Sequence, residues 1–331
     1  METVSTAATA RNSAQAAPQT RRYHDDAAVA RPGQFGQRLA VRAVKRLPSV
    51  PGMLLPAIGA LARKPDGDFS VSRLSARFSV AAPTLKHVED YNRMVEGPGG
   101  YVPLTYFHLL AQRAQLGLML DGRYPYAVAG MVELGNDMAM HEAMRWQEAI
   151  HIDVSAYPQV YAEAGDHQAR SVVFAVELRQ GHGVIARCYS SYLVSRGVSR
   201  GTTLPAARVA ASGPTPEEAP KERWHLEENI GRRYARVCGV YGVDPLFSRL
   251  ARPFGFSHTA SQGMYAVGRA MAAIELESGR RARAVTARFR QAIELPSTVN
   301  FWWHQAEHNK GQYALDTAQH CVLLSGTYEL A

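Results

Sequence analysis

Between Ser70 and Val80 the apolar side chains fall at Val71, Leu74, Ala76, Phe78 and Val80, nearly every second position, which predicts a half-buried strand. From Pro103 to Leu120 the period lengthens. Phe107, Leu110, Ala114 and Leu118 recur at steps of three and four, so this segment is a helix with Pro103 near its start. It is apolar on more than one face, and a helix of that kind is deeply buried. Four strands rich in Val, Ile, Tyr and Phe follow at 128–134, 149–160, 169–179 and 184–193. Turns are expected at Gly135-Asn136-Asp137, 164–166 and 180–183. The second half repeats the order. A strand-like start over 223–230 leads to a helical stripe at Met264, Val267, Met271 and Ile274, then to strands over 282–289, 297–303, 312–318 and 321–328.

A buried helix ahead of a run of antiparallel strands, occurring twice, predicts a duplicated α+β fold. The expected organisation is a disordered basic extension over 1–46, a short packing segment over 47–68 with a helix at 53–63, a first domain over 69–197, a Pro/Gly-rich linker over 198–222 and a second domain over 223–331.

Composition narrows the function classes. The net charge of +8 invites a polyanionic partner, but +5 of it lies in the first 50 residues and the body is nearly balanced. Nucleic acid is therefore not expected as a partner. Three widely spaced cysteines, Cys188, Cys238 and Cys321, argue against a disulfide framework and for a reducing, cytoplasmic setting. Prolines break the longest apolar stretch, so no membrane span is expected. His304 and His308 are four apart but sit in strand and turn context, and no metal site is expected there.

Three segments resemble the MaoC-like acyl dehydratase and (R)-specific enoyl-CoA hydratase family in its double hot-dog form. They are Leu104-Thr-Tyr-Phe-His108 with Tyr124-Pro-Tyr126 and Gly130-Met-Val132; Gly231-Arg-Arg-Tyr-Ala-Arg-Val-Cys-Gly239 with Gly255-Phe256 and Gln262-Gly-Met264; and Arg288 to Thr298 with Leu324-Ser-Gly-Thr327. The resemblance spans about residues 69–331 and implies two copies of a long helix wrapped by an antiparallel sheet. It also implies an acyl thioester as ligand (acyl-CoA or acyl carrier protein), no other cofactor, and either a homodimer or pairing with an active hot-dog protein.

In that family an Asp and a His in Ser-Gly-Asp-x-Asn-Pro-Ile-His add water to an enoyl thioester. The resemblance places Val240 at the Asp and Pro245 at the His; with a two-residue shift Phe247 takes the His position. None of these side chains exchanges protons, and each lost acid–base group typically costs about 10²–10⁴-fold. Standard hydration is therefore not expected. Substitute groups are Asp244, Tyr241 and His258, whose ordinary readings are a turn residue, a core tyrosine and a loop histidine. Gln262, Gly263 and Met264 at the helix start are the expected thioester contacts. Arg280, Arg281 and Arg283, in a cluster with Arg288 and Arg290, are candidates for coenzyme A phosphates or for a solvated basic face. His108 matches a family position and is read as core packing. The remaining readings are an active hydratase or dehydratase with non-standard groups and a purely structural subunit.

Overall fold

A computed structural model describes residues 44–47, 73–126, 128, 131–160, 170–194, 220–238 and 258–331. The described elements run β1 (Lys45–Arg46), β2 (Leu74–Val80), α1 (Leu85–Met94), a 3₁₀ turn (Leu104–Tyr106) leading into α2 (Phe107–Met119), then β3 (Val132–Met140), β4 (Ile150–Val160), β5 (Arg170–Gln180) and β6 (Gly183–Val194). The second series is β7 (Glu222–Leu226), α3 (Ile230–Val237), α4 (His258–Ser278), β8 (Ala282–Phe289), β9 (Ser297–Gln305), β10 (Lys310–Thr317) and β11 (Val322–Leu330).

The strands form one sheet in the order β1-β2-β4-β5-β6-β3-β8-β11-β10-β9-β7. Outward from the central β3–β8 pair, one side reads β6, β5, β4, β2 and the other β11, β10, β9, β7, so each half uses its five strands in the same order. Each half also places a short helix and then a long helix between its first and second strands. This is the double hot-dog, a duplicated α+β arrangement. The halves meet where Gly135–Ala139 of β3 pairs antiparallel with Ala284–Arg288 of β8.

Period and burial agree where one face is apolar. In β6 the residues Ala186, Cys188, Ser190, Tyr192 and Val194 alternate into the interior. The opposite face carries charge: Arg77 pairs with Asp153 at 2.5 Å, Arg187 with Glu177 at 2.7 Å, and Arg179 with Glu177. Such solvated pairs are worth about 0–1 kcal/mol each. The long helices need close approach. On α2, a Cβ at Gly117 would lie 3.0 Å from the Phe78 ring of β2; on α4, one at Gly268 would lie 2.9 Å from Val95. On the edge strand β7, Trp224 is buried between Phe301, stacked at 4.5 Å, and the Arg269 guanidinium at 4.7 Å.

Several boundaries differ from the sequence reading. Gly135-Asn136-Asp137 is not a turn; it lies inside β3, which starts at Val132 and runs to Met140. The strand expected over 223–230 ends at Leu226, and Ile230–Val237 is helical. Its buried Ile230, Tyr234 and Cys238 stand four apart with Arg232, Arg233 and Arg236 opposite, a short amphipathic stripe beside a loop. Helix α1 was also missed, although Thr84 caps it by accepting from the His87 N–H at 3.2 Å. Lys45 and Arg46, assigned to the extension, pair in parallel with Phe78 and Ser79. The end of the expected linker, Glu222, already belongs to β7. The helix expected over 53–63 lies outside the described residues.

Candidate functional site

The motif run 239–257, with Val240, Tyr241, Asp244, Pro245 and Phe247, lies outside the described residues. Its two flanks are described. Upstream, α3 closes on buried Cys238. His87 of α1 clamps this end: Nε2 donates to the Val237 carbonyl at 2.6 Å, leaving Nδ1 to accept from the Tyr106 hydroxyl at 2.7 Å. Tyr91 stands edge-on to Tyr106, Tyr234 tilts against Tyr91, and Tyr265 stands edge-on to Tyr234, so a row of tyrosines carries this contact from the first half into the second.

Downstream, His258 and Gln262 lie in the first turns of α4; only their backbone is described. Gly263 packs on Phe289 so closely that a Cβ there would sit 2.8 Å from the ring. Met264 is buried. Gly263 and Met264 are thus together on the inner side of the long helix, near its start.

The arginines do not converge. Arg280 ties down the chain end, donating from Nε to the Ala331 carbonyl at 2.9 Å and from a terminal nitrogen to the His308 carbonyl at 2.8 Å. Arg281 lies over the Tyr101 ring at 4.3 Å. Arg283 is exposed on β8. Arg288 is drawn to the seam, where it holds Asp137 at 2.5 Å and 3.3 Å. Among the described residues no cluster of His, Cys, Asp and Glu could hold a metal ion.

The densest polar chemistry among the described residues lies in the first half. His108 and Gln115, seven apart on α2, point the same way with Ala111 between them. From β6, Ser190 and Tyr192 face them. From β3 come Glu133 and Asn136. Residues three apart on a regular strand face opposite sides of the sheet. Here Glu133 pairs with Tyr192 and Gly135 with Ser191, so Leu134 is an extra, bulged residue. The bulge turns Glu133 and Asn136 to the same side. Gly135 is required at this bulge, since a Cβ would come within 2.8 Å of the Ala287 carbonyl on β8.

Asn136 is the hub. Its Nδ2 lies 2.7 Å from Ser190 Oγ, 3.1 Å from Glu133 Oε1 and 3.1 Å from His108 Nδ1. Gln115 donates to Ser190 at 2.9 Å and accepts from the Tyr192 hydroxyl at 3.1 Å. Burial pushes the Glu133 carboxyl up to about 7, against the smaller opposing hydrogen bonds from Asn136 and Tyr192. Burial likewise pulls the His108 imidazole down to about 4, so it is neutral at pH 7. Among the described residues, His108 Nε2 and Asn136 Oδ1 are buried with no hydrogen-bond partner. Glu133 keeps partial contact with solvent, while His108 and Asn136 are each 1% exposed. The reading of His108 as core packing is therefore incomplete. The sequence signal was a His and a Gln seven apart on an otherwise apolar helix; the misread turn at Gly135 hid the rest.

No protein-family model matches the chain, and no curated protein matches its sequence. Solved structures do match. HtdX of Mycobacterium tuberculosis superposes with a TM-score of 0.58 at 17% identity, over 77% of this chain and 100% of HtdX. A second HtdX structure gives 0.56 at 20%, over 76% and 98%. A MaoC-like dehydratase from Phytophthora capsici gives 0.51 at 13%, over 78% of this chain and 95% of that one. At these identities the likeness is one of fold: the chain has the double hot-dog of MaoC-like dehydratases.

Proposed function

We propose that the protein binds an acyl thioester, as acyl-CoA or on acyl carrier protein, and does not hydrate it by an Asp/His pair in its second half. The observation that carries this reading is a double hot-dog frame, shared with MaoC-like dehydratases, in a chain whose sequence has Val240 and Pro245 or Phe247 where the resemblance expects the Asp and His. In this reading the start of α4, with Gln262, Gly263 and Met264, receives the thioester. The exposed Arg283 and Arg281 are the candidates for coenzyme phosphates; Arg280 is committed to backbone carbonyls. A cytoplasmic setting fits the free cysteines, of which Cys188 is kept inert because burial pushes its thiol up to about 12.

Calorimetric titration with acyl-CoAs of two to sixteen carbons tests the reading. Saturable heat with at least one chain length is expected; no heat with any of them overturns it and favours a structural subunit. The second reading, an enzyme with non-standard groups, is favoured by the buried polar hub around Asn136 in the first half. Loss of trans-2-enoyl-CoA hydration, followed by absorbance, on Asp244→Ala or His258→Ala would place that activity in the second half.

A further inference from the structure

We propose that the first half holds a proton-exchanging site, in which His108 Nε2–H binds the carbonyl oxygen of an acyl thioester and Glu133 removes and returns a proton on the carbon next to that carbonyl. The proposal rests on the acyl-thioester reading and adds the site and its chemistry.

Geometry carries the argument. Asn136 presents its Nδ2, a donor, to His108 Nδ1, so Nδ1 is the acceptor and the neutral ring carries its proton on Nε2. That N–H is buried and has no partner among the described residues. A buried donor without an acceptor destabilises the fold, and a carbonyl oxygen is the simplest group to relieve it. Asn136 Oδ1, also buried and unpartnered, accepts in turn from a ligand hydroxyl or a water. The Glu133 carboxyl hangs on the same amide nitrogen as the imidazole, each at 3.1 Å, and Glu133 is the least buried residue of the three. A carboxylate base next to a neutral imidazole that polarises a carbonyl is an effective arrangement for breaking an adjacent C–H bond. The β3 bulge at Leu134 makes the combination possible, since without it Glu133 would face the other side of the sheet.

The step balances without an oxidant or co-reactant. The Cα–H bond breaks and its proton passes to the Glu133 carboxylate. The electron pair moves into the Cα–C bond, and the negative charge that collects on the thioester oxygen is held by His108 Nε2–H. The carboxylic proton exchanges with solvent, and the reverse step delivers a solvent proton to Cα. Among the described residues, the groups packed around Glu133 are Asn136 on its own strand, Tyr192 from β6 and His108 from α2. Arg288 from β8 is held by Asp137, and the Tyr106 hydroxyl of the 3₁₀ turn is engaged by His87.

The test is deuterium uptake at Cα of acetyl-, butyryl-, octanoyl- and palmitoyl-CoA, incubated with the full chain in D₂O and read by mass spectrometry, alongside calorimetric binding of the same thioesters. Uptake above the protein-free rate is expected, falling about 10²–10⁴-fold in Glu133→Gln and about 10²–10³-fold in His108→Phe. Affinity should stay within a few-fold in Glu133→Gln. The wild-type exchange rate should rise with pH through about 7 as Glu133 ionises, a readout that does not depend on any variant folding. Binding without exchange, or exchange indifferent to both substitutions and flat across that pH range, overturns this site while leaving the acyl-thioester reading intact; it is also the result expected if a buried water alone occupies the gap. Absence of binding removes both.

Discussion

The two halves share their order of elements and differ in what the long helix meets. In the second half, the inner side of α4 presents Met264, Tyr265, Val267, Met271 and Ile274, all buried. Two buried polar side chains there serve the frame, while Ser297 Oγ and Trp302 Nε1 are buried without a partner among the described residues. Glu275 accepts from the Ala282 N–H at 2.7 Å and from the Tyr101 hydroxyl, and Asn300 donates to Asp316 at 2.9 Å. In the first half, α2 brings His108 and Gln115 to Asn136, Ser190, Tyr192 and Glu133, and two buried atoms remain open. Duplication therefore fixes the wrapping of helix by sheet but not the chemistry beneath it, because each interior side chain can change independently so long as the polar ones find partners.

The largest expected effect comes from removing the first half's hub. Asn136→Leu keeps the branched shape and removes the amide's two N–H donors, which Ser190, Glu133 and His108 share. At about 1–3 kcal/mol for each group left unsatisfied, denaturant unfolding should lose about 4 kcal/mol. Asn300→Leu in the second half, which takes a donor from the Asp316 carboxylate that His320 still faces at 3.2 Å and a long contact of 3.4 Å from the Thr317 carbonyl, should lose less. Equal losses would mean that the two interiors are energetically alike.

The pH dependence of stability sharpens the contrast. Glu133 moves from 4.5 to about 7 on folding, so its folded state favours the protonated form. Its contribution is full below pH 4.5 and is lost as pH rises through about 7. His108 moves from 6.5 to about 4. Unfolding then takes up a proton between those values, and its contribution is lost as pH falls through about 4. Each is worth on the order of 3 kcal/mol, with opposite slopes that offset one another between about pH 4.5 and 6.5. Wild-type stability should therefore be nearly flat from this pair in that window. Glu133→Gln should unmask a rise with pH, and a fall instead would contradict the burial of both groups.

At the seam, Arg288→Ala leaves Asp137 without its guanidinium. The pair is partly solvated, with side chains 16% and 24% exposed, so the loss should fall between that of a surface and a buried pair, about 2 kcal/mol by thermal unfolding. The smallest effect belongs to a pair within one element. Lys86→Ala on α1, which breaks an exposed i,i+4 contact to Asp90, should leave the thermal midpoint unchanged within measurement error.

Much of the frame was legible along the chain. The period of two predicted β8 at its observed bounds and β5 and β9–β11 to within two residues at most ends, and the stripe of Met264, Val267, Met271 and Ile274 located α4. These elements each bury one consistent face, so their period survives in the letters. The short helices α1 and α3 were missed because two or three turns give few repeats, although the Thr84 cap and the Ile230, Tyr234, Cys238 stripe were present. The turn wrongly expected at Gly135-Asn136-Asp137 came from local turn preference, which the pairing of β3 with β6 and β8 overrides.

The candidate site divides along the same line. The sequence by itself determined that the residues the family resemblance sets at the motif positions, Val240 and Pro245 or Phe247, carry no proton, since which side chains can carry one is a property of the residue. The structure alone decided that Glu133 and Asn136 share a side, that Arg288 serves Asp137 and that His108 holds an open N–H. Each depends on a bulge, a strand pairing or a hydrogen-bond partner more than twenty residues away, and no local period records those.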